Sequence, residues 1–382
     1  MSNDKNLAPE TIAAQGLGWV EPTTRAISPP IHVSSTYERD EDNQYRSGRN
    51  YSRTDNPSYD QPEAVLTALE GGKAAALFSS GMAAATTLFQ ALKPGDHIIG
   101  PKVMYWSLRN WLVATAEKWS VGLDLVDMRD LSAIKAAIKP GRTKLIWAET
   151  PANPLWHVTD IAAAAEIAHG AGARLAVDST AATPVLTKPL ALGADIVMHS
   201  ATKYLNGHSD VIAGALVTRE TDAFWEQIKL LRLQQGSVLG PFEAWLLLRG
   251  MRTLYPRVRT AVANAQFLAE KLVGNSHIEE VLYPGLPDFQ GHAVAARQMQ
   301  GGFGAMLSIR VKGGEEAAVR LAAHVKVWKR ATSLGGVESL MEHRASVEGP
   351  TSPIPKDLLR LSVGIEDRGD LLADLEQALL AN

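Results

Sequence analysis

Ile196-Val197-Met198-His199-Ser200-Ala201-Thr202-Lys203-Tyr204 closes a short apolar run on two hydroxyls and an amine. Upstream, Leu175-Ala176-Val177-Asp178-Ser179-Thr180 closes another such run on a carboxylate. Runs this short, apolar throughout and ended by small polar residues read as buried strands. In open α/β sheets ligands sit outside the carboxyl ends of the strands, where Asp178 and Lys203 fall. An aldehyde cofactor such as pyridoxal phosphate needs both groups. A lysine forms the Schiff base, and a carboxylate keeps the pyridine nitrogen protonated so that the ring accepts electrons.

Outward from these two strands the chain alternates. Pro62 opens a helix with Val65, Leu66 and Leu69 on one face, stopped by Gly71-Gly72. Ala74 to Phe78 is a strand, and Ser80-Gly81 leads into a helix of small residues through Leu92. A strand near His97–Ile99, a helix from about Ser107 to Trp119, a strand Lys144–Ala148 and a helix Ile161–His169 follow. Ala213–Val217 is one more strand. This alternation predicts an α/β fold, with a mostly parallel central sheet and helices on both faces. After Pro241 the pattern changes to a long helical stretch, Phe242–Leu272, and then to α+β with strands near Ala305–Val311 and Arg360–Val363. The expected organisation is an N-terminal arm over residues 1–60, a cofactor domain over 61–241 and a smaller C-terminal α+β domain over 242–382.

Bulk composition narrows the function classes. The 382 residues are 46% hydrophobic and 21% charged, which is ordinary for a globular protein. A net charge of −3 gives no electrostatic reason to expect nucleic acid or an anionic membrane. No 18-residue apolar run indicates a membrane span, and the first residues lack the apolar core of a signal peptide. With no cysteine there is no disulfide or thiolate nucleophile. His199 and His208 lack metal-ligand spacing, so no metal site is expected. A cytoplasmic protein is the expectation. The arm is rich in Pro, Ser, Asn, Arg and Tyr, yet Trp19, Ile27, Ile31, Val33 and Tyr37 give it apolar groups with which to pack on something.

Four strand ends carry candidate chemistry, and each also has a plainer explanation. Ser79-Ser80-Gly81-Met82 offers free N–H groups and a glycine for close approach of a phosphate, but equally is a turn. Asp178 is a cofactor partner, a helix cap, a metal ligand or a salt-bridge partner. Ser200 and Thr202 flank Lys203 as a phosphate monoester beside an aldehyde would require, although a lone lysine is commonly a solvated charge. Glu149-Thr150-Pro151-Ala152-Asn153-Pro154 is a stiffened loop that presents Asn153.

Together and in this order, the motifs resemble the Cys/Met-metabolism family of fold-type I pyridoxal-phosphate enzymes, which includes cystathionine γ-synthases, γ- and β-lyases, methionine γ-lyases and O-acylhomoserine sulfhydrylases. The resemblance runs from about Ala26 to Leu375. It also draws on Tyr51-Ser52-Arg53-Thr54-Asp55-Asn56-Pro57, on Ser333-Leu334-Gly335-Gly336 and on Arg360-Leu361-Ser362-Val363-Gly364. It implies that Lys203 holds the cofactor as an aldimine and moves protons, and that Asp178 pairs with the pyridine nitrogen. Gly81, Met82, Ser200 and Thr202 would take the phosphate, with Thr180 also in the cofactor set. Tyr51 and Arg53 would reach the phosphate of a neighbouring subunit. Tyr105 would stack on the ring and assist proton transfer. Asn153, Ser333 and Arg360 would position the substrate α-carboxylate. A homotetramer, built as a dimer of dimers, is the implied assembly.

The implied activity is γ-elimination, or β-elimination, on a γ-substituted L-amino acid of the homoserine type with a sulfur- or oxygen-linked leaving group. The alternative is γ-replacement, with a thiol in place of water. The chain departs from many relatives at Trp106-Ser107-Leu108, where Ser107 stands in place of the methionine γ-lyase cysteine. It departs again at Thr332, where many cystathionine enzymes have glutamate. These departures turn the expectation toward an unusual γ-substituted amino acid; an O-substituted homoserine analogue, canavanine included, fits the mechanism. With Lys203, Asp178 and Arg360 all present, a catalytically silent relative is disfavoured, and the motif set argues against an aminotransferase.

Overall fold

The computed structural model describes residues 7–349 and 352–381. In chain order its strands are β1 (Ala74–Phe78), β2 (His97–Pro101), β3 (Gly122–Val126), β4 (Thr143–Glu149), β5 (Arg174–Asp178), β6 (Ile196–His199), β7 (Gly214–Thr218), β8 (Ile278–Leu282), β9 (Met306–Val311), β10 (Lys329–Arg330), β11 (Leu340–His343) and β12 (Leu358–Ser362). The chain forms two compact units, residues 1–93 with 195–255 and residues 94–194 with 256–382.

In the first unit β7 pairs with both β1 and β6 and runs antiparallel to each, with Phe78 and His199 facing Gly214 and Ala215. This is the exception to the parallel pattern that the alternation predicts. No crossover helix lies between His199 and Gly214, and a parallel return needs one. The helix Pro57–Glu70 begins five residues before the predicted start. Asn56 caps it, its side chain accepting the Ser58 N–H at 2.8 Å, with Pro57 in the first position. Pro62 therefore lies inside the helix, where it forfeits one backbone hydrogen bond, while Val65, Leu66 and Leu69 are fully buried as expected. Gly71, with a φ of 72°, ends it. The predicted helix 242–272 is two helices, Pro241–Met251 and Leu254–Leu272. Pro256 cannot donate to a carbonyl four residues back, so a continuous helix is interrupted at 252–253.

Glycine 214 decides how the first unit is assembled. A Cβ there would lie 2.0 Å from the Ser80 carbonyl oxygen and 2.9 Å from the Gly81 nitrogen, so only glycine lets β7 pass the turn that follows β1. The turn is further fixed by Ser80, whose hydroxyl accepts the Ala83 N–H at 3.0 Å and starts the helix Gly81–Gln90.

In the second unit β2 pairs with β3 and β4, and β4 with β5, all parallel. Ile99, Ile146, Ala148, Leu175 and Val177 of these strands pack with Ile134 and with Ile161, Ala164 and Ala168 of the helix Ile161–Gly170. The half-buried edge strand β3, with its glycine and aspartate, lacks the apolar signal of its neighbours and is not foreseen by the sequence. A five-stranded sheet, ordered β10-β11-β12-β9-β8 and antiparallel except at β10–β11, supplies the α+β part. Asp374 of the helix Arg368–Leu380 accepts the N–H groups of Lys326, Val327 and Trp328 at 2.7–3.0 Å and so holds the approach to β10. Among the described residues no helix is long and apolar enough to cross a membrane.

Gly214→Ala is expected to destabilise the fold by about 1–3 kcal/mol, the usual cost of overpacking. Gly170→Ala, at a helix end with nothing within 4 Å, should leave stability unchanged or raise it. Urea denaturation of the two variants checks the contrast, and equal midpoints would contradict the steric argument.

Candidate active site

In the first unit the turn after β1 and the turn after β6 meet. A Cβ on Gly81 would lie 2.8 Å from both Cβ and Oγ of Ser200, so the bare backbone of Gly81 rests on that serine. The Ser80 hydroxyl and carbonyl satisfy the N–H groups of Ala83 and Ala84, leaving those of Gly81 and Met82 as the first-turn donors. Two such donors, the positive end of the helix and the Ser200 hydroxyl make a cradle suited to a phosphate monoester.

Lys203 lies one turn further on. Its N–H donates to the Ser200 carbonyl at 3.0 Å, and its own carbonyl accepts from Gly207 at 2.7 Å, so its backbone is fixed from both sides. Thr202 is locked against Ala213: its hydroxyl donates to the Ala213 carbonyl at 3.1 Å and accepts the Ala213 N–H at 2.9 Å. His199 is committed to Glu70, its Nε2 lying 2.6 Å from a carboxylate oxygen with both side chains buried. In the arm, the Arg53 guanidinium lies over the Tyr51 ring at 5.6 Å and donates to the Leu233 carbonyl at 2.9 Å. Tyr51 itself is 45% exposed.

The second unit gathers the remaining candidates around Glu149, the last residue of β4. One oxygen of this buried carboxylate accepts the Tyr105 N–H at 2.7 Å and the other the Asn153 N–H at 2.8 Å. Glu149 is paired in register with Asp178, the last residue of β5. Asp178 is buried and accepts the Thr180 N–H at 3.0 Å. Burial first, and then the Asp178 charge, push Glu149 up to about 8, against the lowering effect of its two N–H donors. From Asn153 the connection continues to Arg360 on β12, whose Nη1 donates to the Asn153 Oδ1 at 3.1 Å. The Arg360 Nη2 donates to the Ser333 carbonyl at 2.8 Å. Ser333 holds a φ of 85°, uncommon for a residue with a side chain and a recurrent feature of binding sites. Asn153, Ser333 and Arg360, far apart in sequence, are thus directly linked.

Three site-shaping residues were missed by the sequence reading: Glu149, Glu342 and Arg344. Glu149 had a usable signal, since it closes the apolar run Leu145-Ile146-Trp147-Ala148 as Asp178 closes Leu175-Ala176-Val177. Glu342 and Arg344 had none, because their link to the site is the Glu342–Arg360 contact across β11 and β12.

The pattern of the family described as Cys/Met metabolism PLP-dependent enzyme matches residues 10–380. The chain is 47% identical over 365 residues to the cystathionine gamma-synthase of Mycobacterium tuberculosis strain H37Rv, covering 94% of this chain and 93% of that one. It is 41% identical over 381 residues to the L-methionine gamma-lyase of Porphyromonas gingivalis strain W83, covering 95% and 94%. The crystal structure of metB from Corynebacterium glutamicum matches with a TM-score of 0.95 at 42% identity, over 98% of each chain. The resemblance read from the motifs therefore holds over the whole fold: the chain belongs to the Cys/Met metabolism family of pyridoxal-phosphate-dependent enzymes.

Proposed function

We propose that this enzyme removes a γ-substituent, linked through sulfur or oxygen, from a homoserine-type L-amino acid by elimination. The observation that carries the reading is the linked Asn153–Ser333–Arg360 group, with Asn153 and Arg360 buried, a ready-made grip for an α-carboxylate in an enzyme whose family works on amino acids. Bound pyridoxal phosphate supplies an electron sink that makes the Cα proton of an attached amino acid removable near neutral pH. The cradle of Gly81, Met82 and Ser200, with Thr202 behind it, fits the phosphate, and Tyr51 and Arg53 would reach the phosphate of a second copy in a dimer or a tetramer of two dimers. Lys203 is the residue that would carry the aldehyde, with Asp178 at the pyridine nitrogen, Thr180 bracing that carboxylate and Tyr105 against the ring.

In the reaction the freed Lys203 amine takes the Cα proton. A γ leaving group requires a second proton to come off Cβ, and the Tyr105 phenol would protonate the departing atom. Arg360 and Asn153 hold the carboxylate throughout, so that the Cα–H bond stays aligned. Asp178 must remain ionised for its task. Glu149 beside it is the group that takes up a proton, which spares the pair two adjacent negative charges. The expected compartment is the cytoplasm.

A second reading, γ-replacement by a thiol, is favoured by the names of similar relatives, since the M. tuberculosis protein is called a cystathionine gamma-synthase. Supplying O-succinyl-, O-acetyl- and other O-substituted homoserines with and without cysteine separates the two. Keto acid and ammonia formed at an undiminished rate in the presence of cysteine support elimination, whereas a thioether formed faster than keto acid transfers the assignment to replacement.

Lys203→Ala should abolish both turnover, by at least about a thousandfold, and the visible absorbance of the cofactor bound to protein. Turnover at the parent's rate would refute the role. For Glu149, raised to about 8, the sign is definite. Its contribution to stability is full below the unfolded value near 4.5 and is lost as pH rises through about 8, by at most about 1.4 kcal/mol per pH unit. Glu149→Gln cannot ionise, so its loss of stability between pH 6 and 9 should be shallower than the parent's. Parallel urea midpoints across that range would show that another group takes up the proton.

A further inference from the structure

Arg360 is already engaged on one side by a carboxylate. Its Nη2 lies 2.6 Å from Glu342 Oε2, the two residues facing each other across β12 and β11. A guanidinium paired in this way is a poor receptor for a second anion, because Glu342 and an incoming carboxylate are like charges competing for one cation. Two further groups at Arg360, the Asn153 amide oxygen and the Ser333 carbonyl, are neutral acceptors.

The same Glu342 oxygen also accepts from Arg344 Nη1 at 2.6 Å. Arg344 in turn donates from Nε and Nη2 to Glu348 Oε1 at 3.1 and 2.7 Å, and the second Glu348 oxygen accepts the Ser352 hydroxyl at 2.6 Å. Outward from Arg360 the charges therefore run plus, minus, plus, minus. All four residues are buried, at 4%, 6%, 3% and 8% exposure, so solvent ions do not screen them. Arg344 sits above its ordinary value: burial alone lowers it, and Glu342 and Glu348 more than compensate.

We infer that Arg344 is a positioning residue for the reaction: its guanidinium shares the Glu342 carboxylate with Arg360, so that Glu342 cancels less of the positive charge that Arg360 presents to the substrate α-carboxylate. Glu342 fixes the direction of Arg360, and Glu348 holds Arg344 where it must be. The inference rests on the reading that Arg360 grips that carboxylate, and it adds what makes the grip work in a buried site.

The test titrates holoenzyme at pH 8 with L-norvaline, which has no γ leaving group, and with butylamine, the same molecule without its carboxylate, following the visible band. Arg360→Gln should weaken norvaline binding at least about tenfold and leave butylamine unchanged; otherwise the carboxylate reading itself falls. Given that result, Arg344→Gln should raise the norvaline Kd about tenfold, again sparing butylamine. Arg344→Lys, which keeps the charge, and the double variant Glu342→Gln/Arg344→Gln, which removes the rival, should both return to within about threefold of the parent. A purely structural role would weaken both ligands alike or leave the double variant as weak as the single. Either outcome, or parent-like norvaline affinity in Arg344→Gln, overturns the inference while the Arg360 result stands. Should Arg344→Gln fail to fold, Glu342→Gln decides. With the competing charge gone, norvaline affinity should rise, and affinity at or below the parent's overturns the inference.

Discussion

The Glu149 carboxylate, buried at the end of β4, is the constraint on which the second unit's share of the site depends. An ionisable group taken out of water costs several kcal/mol unless it is hydrogen-bonded, and the donors it finds are the backbone N–H groups of Tyr105 and Asn153. Each such bond is worth about 0.5–1.5 kcal/mol while the acid is protonated, and more once it ionises. One side chain thereby ties the loop after β2 to the loop after β4, and its register partner on β5 is Asp178. Asn153, held at its N–H, reaches Arg360 through its side chain. Tyr105, Asp178, Asn153 and Arg360 are thus fixed relative to one another through a single buried acid.

A different constraint operates in the first unit. A phosphate is gripped at close range by backbone, and close range excludes side chains. Gly214 and Gly81 are both positions where a Cβ would collide, the first with the Ser80 carbonyl and the second with Ser200. Gly214 lets β7 pass the turn after β1, Gly81 nests that turn against the one after β6, and Lys203 follows in the latter, its amide bonded back to Ser200. The cradle needs this economy of atoms, because a helix N-terminus alone is only a weak anion site.

How much of this was legible in the sequence follows from the range of each interaction. β1 and β6 were read to the residue, since an apolar run ended by serine or glycine states its own limits. The start of the helix at Pro57 was missed because two prolines compete and only the Asn56 cap, a side-chain geometry, chooses between them. The antiparallel β7 was missed because strand direction is set by the route of the connection, which the strand's own residues do not record. Among the candidate residues, the motifs gave Asp178, Asn153 and Lys203 as chemical types at or after strand ends and Arg360 within a strand. They could not give the Glu342–Arg344–Glu348 row, whose local pairs form once the helix Arg344–Glu348 has turned and which meets Arg360 only once β11 and β12 are side by side. In a sequence those residues look like an ordinary solvated charge cluster.

Tyr105 shows why such compensations arise. It occupies the N-cap of the helix Trp106–Lys118, where a small polar residue would ordinarily accept an N–H, and it makes no such bond. In a capping box, a glutamate three positions into the helix would reach back to the cap's own N–H, but here that position is Leu108, which is buried. Glu149 takes over the task from the neighbouring strand, binding the Tyr105 N–H from outside the helix. The tyrosine backbone is therefore anchored without using its side chain, and the phenol, on a residue 43% exposed, stays available for chemistry. A local rule of helix design is broken at this tyrosine, and a long-range carboxylate restores what the break removes.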